Sequence, residues 1–167
     1  MILAAVAVAL NSRSVVAESY KRNSMVICGI ELTGSDAVVC FLNLEKGQFS
    51  LPESKVRKLS LKKNHTREDL QQFQAAFAEL MTEHEVTNVA IKERMPKGKF
   101  AGGAIGFKLE AAIQLIASSK LEVRLLPPAI VKSTLAANPM PIAFAETGLK
   151  VFQETAFTAA YVGHIAR

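Results

Sequence analysis

A mixed β-sheet covered by helices on both faces is the fold class this sequence predicts, and three observations predict it. Short runs rich in Val, Ile, Cys and Phe are interleaved with stretches whose apolar residues recur at helical spacing. Three strand-like runs come first, followed by helix, strand, helix, strand and further helices, an order that suits antiparallel pairing early and parallel crossovers later. Half of the 167 residues are hydrophobic and 21% are charged, which excludes a disordered chain and is enough for one α/β domain with a real core. The expected sheet has five strands, three antiparallel and two parallel.

The elements follow in order. Met1–Leu10 is apolar and Ala-rich residues continue to Ala17, but no basic residue precedes them and about ten residues are too few to span a bilayer. Residues 1–24 are therefore read as an upstream extension, residues 25–167 as the domain, and neither a membrane partner nor secretion is expected; the compartment that follows is the cytoplasm. Residues 25–32 and 36–44 form a hairpin around Thr33-Gly34-Ser35, where Gly34 can supply a positive φ. A broken extended region interrupted by Pro52 ends in Lys55–Lys63, whose partial alternation fits a third strand at a sheet edge. A helix starts near Thr66, with Asp69 completing a capping box, and carries Leu70, Phe73, Phe77, Leu80 and Met81 on one face. Val86–Ile91 is a buried strand. A loop, Met95–Gly103, leads into a helix through about Ser118. Leu121–Leu126 is the last strand, stopped by Pro127-Pro128, and two helices cover Ala129–Ala137 and roughly residues 149–165.

Charge and composition narrow the partners. The net charge is +5, but the first 24 residues hold Arg13, Lys21 and Arg22 against one acid, Glu18, so the rest is only mildly basic. That permits a polyanionic partner without requiring one. With no Trp and 7% aromatic residues, a stacking platform for single strands is not evident. Cys28 and Cys40 lie on neighbouring predicted strands; a disulfide is conceivable by geometry, and buried reduced thiols are the preferred reading. His65, His84 and His164 lack ligand spacing and read as surface or helix-end residues.

The element order matches the ribonuclease H-like fold, and local motifs narrow the likeness. Gly29-Ile30-Glu31, followed by Gly34-Ser35, resembles the first strand of RuvC-type Holliday junction resolvases. Val89-Ala-Ile-Lys-Glu93 resembles their fourth strand, which ends in a catalytic glutamate; Pro128-Ala-Ile-Val-Lys132-Ser-Thr134 resembles the segment after their fifth. Glu154-Thr-Ala-Phe157 lies where their last helix carries an Asp-x-x-Asp pair. From Met25 onward the chain looks closer still to an uncharacterised bacterial domain-of-unknown-function family, which shares Gly29-Ile30-Glu31-Leu32, residues 97–103 and Phe152-Gln-Glu-Thr-Ala-Phe157.

The resemblance implies Glu31, Glu93 and Glu154 as catalytic, metal-binding acids around Mg²⁺ or Mn²⁺, phosphodiester hydrolysis, structured DNA or RNA as substrate, and a homodimer as the working form. The sequence also departs from the pattern. All three acids are Glu where the resolvases use Asp on the first strand and last helix, Phe157 replaces the second helix acid, and Lys92 stands where the glutamate of the fourth strand belongs, with Glu93 one residue late. Because strand side chains alternate, that offset can turn a carboxylate to the other face. Two function classes therefore stay open: a metal-dependent nuclease, and a catalytically inactive descendant that binds nucleic acid or a protein through the same groove.

Basic residues and one further acid stand beside these candidates. Lys97 and Lys99 flank the opening of a helix and, with Lys132, are candidate phosphate contacts. Lys55, Arg57, Lys58, Lys62 and Lys63 form the densest basic stretch, which reads slightly better as protection of a sheet edge. Glu110 reads as a peripheral glutamate.

Overall fold

The computed structural model describes residues 24–99 and 101–166. The expected extension, residues 1–24, thus lies outside the described residues except for Ser24, which opens the first strand. β1 (Ser24–Thr33) and β2 (Asp36–Glu45) pair antiparallel along their full lengths, closed by a turn in which Gly34 has φ 57°.

The third strand is in two pieces. β3 (Gln48–Ser50) and β4 (Lys58–Ser60) both pair with the outer edge of β2, one at each end. Lys46 and Gly47, at φ 50° and 76°, make the tight turn into β3, which the extended reading of this region had not resolved. The break has a physical reason. Continuing the register that pairs Asn43 with Ser50 would bring Pro52 opposite Phe41, and proline has no N–H for the ladder. The chain swings away and returns at Lys58, leaving a cleft of about 840 Å³ bordered by Phe41, Pro52, Lys55, Arg57, His84 and Gln153.

β5 (Val86–Lys92) joins the other edge of β1 in parallel, and β6 (Glu122–Leu126) joins β5 in parallel. The six-stranded sheet runs β3-β2-β1-β5-β6, with β4 also beside β2. The mixed sheet is as expected; the sixth strand comes from the split.

Helices α1 (Arg67–Glu83) and α2 (Ala104–Gln114) cover one face. α1 starts in the expected capping box: the Asp69 N–H donates to Thr66 Oγ1 at 3.2 Å and the Thr66 N–H to Asp69 Oδ2 at 3.0 Å. Phe73, Phe77, Leu80, Leu109 and Ile113 pack there on Cys28, Ile30, Val39, Phe41, Val89 and Ile91. Helices α3 (Pro128–Ala137) and α4 (Glu154–Ile165) cover the other face, where Val131 and Val162 meet Ile27, Ala90 and Leu126, and Phe157 and Tyr161 meet Val38, Cys40 and Leu42.

α4 begins later than expected. Residues 151–153 form a 3₁₀ turn, and the buried Gln153 side chain donates to the Val39 carbonyl at 3.0 Å and accepts from the Lys150 N–H at 3.1 Å, which directs the chain into α4 at Glu154. Small residues then let the helix lie on the sheet. A Cβ at Gly29 would stand 1.9 Å from the Ala156 carbonyl oxygen and 2.4 Å from the Ala160 nitrogen, so only glycine allows this approach.

Cys28 packs among the α1/α2 layer and Cys40 among the α4 layer, so the two free thiols project from opposite faces and cannot join at this register. Burial pushes the Cys28 thiol well above its ordinary range and the Cys40 thiol up to about 12. His164, expected near the surface, is buried, and its Nε2 lies 2.8 Å from the Leu42 carbonyl oxygen.

Candidate functional site

Because β1, β5 and β6 are parallel, their carboxyl ends share one end of the sheet, where ligands of open α/β sheets gather. Glu31 lies near the end of β1. Side chains alternate along a strand, so Glu31 shares the face of Gly29, which touches α4, and it is half-buried. Glu154 is the first residue of α4 and is exposed. The Gln153–Val39 hydrogen bond ties the start of α4 beside Val39, the partner of Ile30 across the hairpin. Glu31 and Glu154 therefore belong to the same face and the same end.

Glu93 does not join them. Its N–H donates to the Leu126 carbonyl at 3.0 Å, carrying the β5·β6 ladder one residue past Lys92. Glu93 follows the end of β5, and its charge acts on Glu110 of α2, which puts it toward the α1/α2 side. Lys92 instead follows Ala90, which meets Gly163 of α4, and so takes the face of Glu31. Pairing of Ile30 with Ile91 makes Glu31 and Lys92 neighbours one step on. Of the three acids expected to form one cage, Glu31 and Glu154 thus lie toward α4, with Lys92 on the face of Glu31, and Glu93 lies toward α2. Among the described residues no group of three or more His, Cys, Asp or Glu is placed to hold a metal ion. Two-metal hydrolysis needs carboxylates that converge on one point, and with Glu93 beside Glu110 and Lys92 on the face of Glu31 the residues present do not fit the paired Mg²⁺ or Mn²⁺ that the resemblance implies.

Arg94 is the residue that sequence reasoning missed. A Cβ at Gly102 would lie 2.3 Å from Arg94 Nε, and one at Gly106 2.6 Å from Arg94 Cζ, so these two glycines form a seat for the guanidinium. The Phe107 ring lies 5.8 Å from Arg94 Cζ. The four-residue spacing of Gly102 and Gly106 was visible in the sequence, but nothing local named the side chain that fills it. Burial pushes the Glu110 carboxyl above the ordinary glutamate range, the Arg94 guanidinium draws it down, and Glu93 adds to the rise. Arg94 Nε and Glu110 Oε2 are buried without a hydrogen-bond partner among the described residues.

The expected basic contacts are exposed around the same strand ends. Lys97 and Lys99 flank Gly98, at φ 95°, in a loop closed by the Gly102 N–H donating to the Met95 carbonyl at 2.8 Å. Lys132 lies on the exposed side of α3, which follows directly from β6. In the basic stretch around β4, Lys58 pairs with Asp36 at 2.9 Å and Lys62 with Asp69 at 3.2 Å, which suits the edge-protection reading. Among the described residues no helix is long and apolar enough to cross a membrane.

Comparison with known proteins agrees with this architecture. The chain is similar to the structure of Thermus thermophilus RuvC, with TM-score 0.65, 16% identity, and coverage of 84% of this chain and 94% of that one. It is similar to the same protein in complex with a Holliday junction substrate (TM-score 0.62, 16% identity, 84% and 93% covered). A third similar structure is the Fowlpox virus resolvase with its Holliday junction DNA (TM-score 0.50, 12% identity, 84% and 98% covered). At these identities the likeness shows the fold alone, a ribonuclease H-like one. No curated protein matches the chain in sequence. One family does, over residues 25–163, and the chain accordingly belongs to the family described as "Protein of unknown function (DUF3010)".

Proposed function

We propose that this domain binds structured nucleic acid across the carboxyl ends of its parallel strands without hydrolysing it. The observation that supports this most is the exchange at the end of β5: Lys92 shares the α4 face with Glu31, while Glu93 lies toward α2. Two-metal hydrolysis needs carboxylates converging on one point, and a lysine beside Glu31 opposes that convergence. The ligand class comes by analogy from the two similar structures that are complexes with a Holliday junction. Lys97, Lys99 and Lys132 would contact phosphates, which position a duplex without reading its sequence.

The test incubates the purified protein with a labelled four-way junction, an RNA–DNA hybrid and a single strand, in Mg²⁺, in Mn²⁺ and in EDTA. The expected result is a retarded complex of similar affinity in all three buffers and intact nucleic acid throughout. Metal-dependent product that disappears in Glu31→Gln would restore the nuclease reading, with Glu31 among its acids. Absence of any complex at low salt would remove the nucleic-acid reading.

A further inference from the structure

We infer that the Lys92 ammonium is the resident cation of the strand-end crevice: it offsets Glu31, denies the position to a divalent ion, and is the charge that a bound phosphate meets. The last part rests on the nucleic-acid reading above; the first two do not. Three observations combine. The β1·β5 pairing ends at Ile30 with Ile91, so Glu31 and Lys92 are the next residue of each of two adjacent strands, which lie about 4.8 Å apart in such sheets. The contacts of Gly29 with Ala156 and Ala160, and of Gly163 with Ala90, set both side chains on the α4 side of the sheet. Glu154, the other acid there, sits in the first turn of its own helix, where the partial positive charge of the helix N-terminus already favours a carboxylate.

A positive group thus lies within reach of each acid of the crevice: the Lys92 ammonium on the strand beside Glu31, and the helix N-terminus at Glu154. No Glu31–Lys92 ion pair is closed among the described residues. Lys92 is exposed, and its four-carbon stem lets the ammonium reach either the carboxylate or an incoming phosphate.

Two measurements test this on the full chain. The first is Mn²⁺ binding, followed by electron paramagnetic resonance and by the Mn²⁺ dependence of the melting temperature. The wild type should show neither saturable binding nor a shift beyond that of Glu31→Gln. Lys92→Glu should gain both, and Lys92→Glu combined with Glu31→Gln should lose them again. Saturable Mn²⁺ binding by the wild type that Glu31→Gln abolishes overturns the inference, and so does a folded Lys92→Glu that gains no binding. The second measurement uses Lys92→Gln, a milder change at an exposed position, and the salt dependence of junction affinity in EDTA. The log–log slope should become shallower by about 0.9, the loss of one phosphate contact. An unchanged slope removes Lys92 from the phosphate. If no nucleic acid binds at all, the proposed function fails by itself, and the Mn²⁺ arm still decides whether Lys92 excludes the metal.

Discussion

At the end of β5 two adjacent residues of opposite charge part company, Lys92 toward α4 and Glu93 toward α2. The hazard of this one-residue offset was legible in the sequence, because alternation is a property of any strand. Which carboxylate it would strand, and what would receive it, was not legible, since Glu110 comes near Glu93 only through the packing of α2. Glu110 carries a testable consequence. Its folded-state carboxyl titrates above its ordinary value, so it favours folding when protonated, and that advantage is lost as pH rises through the raised value. Glu110→Gln, uncharged at every pH, should gain in melting temperature relative to wild type as pH is raised from the acid range to neutrality. A series of thermal melts across that range checks it, and a difference that stays flat or moves the other way contradicts it.

Among the elements, the hairpin, α1 with its capping box, and the β5 and β6 strands were readable because turn chemistry and periodicity are local. The third strand was only half readable. Pro52 announced the break, but its opposition to Phe41 depends on the β2·β3 register, which the Lys46-Gly47 turn sets. The start of α4 at Glu154 depends in the same way on a distant contact, Gln153 with Val39. The loop that carries Lys97 and Lys99 is bounded by the Arg94 seat, and that seat predicts a reversal of sign. Gly106 lies inside α2, where alanine is intrinsically better by about 1 kcal/mol, yet its Cβ would meet the Arg94 guanidinium. Gly106→Ala should therefore be neutral or destabilising in the wild type and stabilising by up to about 1 kcal/mol in an Arg94→Ala background. Urea unfolding of the four proteins closes the double-mutant cycle, and equal effects in both backgrounds would refute the seat.

For the whole molecule, the order of elements was sufficient to predict a mixed sheet with helices on both faces, because three antiparallel strands followed by two crossovers leave few ways to close a core, and the resemblance of local motifs narrowed it to a ribonuclease H-like fold. The fold brings acids and lysines to the end of the sheet where such domains hold their ligands, but it does not carry the activity of its neighbours with it. Net charge alone does not place the proposed interface; the parallel strand ends suggest where it lies, since Lys92, Lys97, Lys99 and Lys132 lie on or beyond them. The measurement that tests the central claim most directly is a junction-binding isotherm recorded in EDTA from about 50 to 200 mM salt, with the same samples then given Mn²⁺ and run on a denaturing gel. The account predicts tight binding at low salt, a steep fall as salt rises, and full-length strands after Mn²⁺. Flat isotherms at the lowest salt, or nicked strands on the gel, would contradict it.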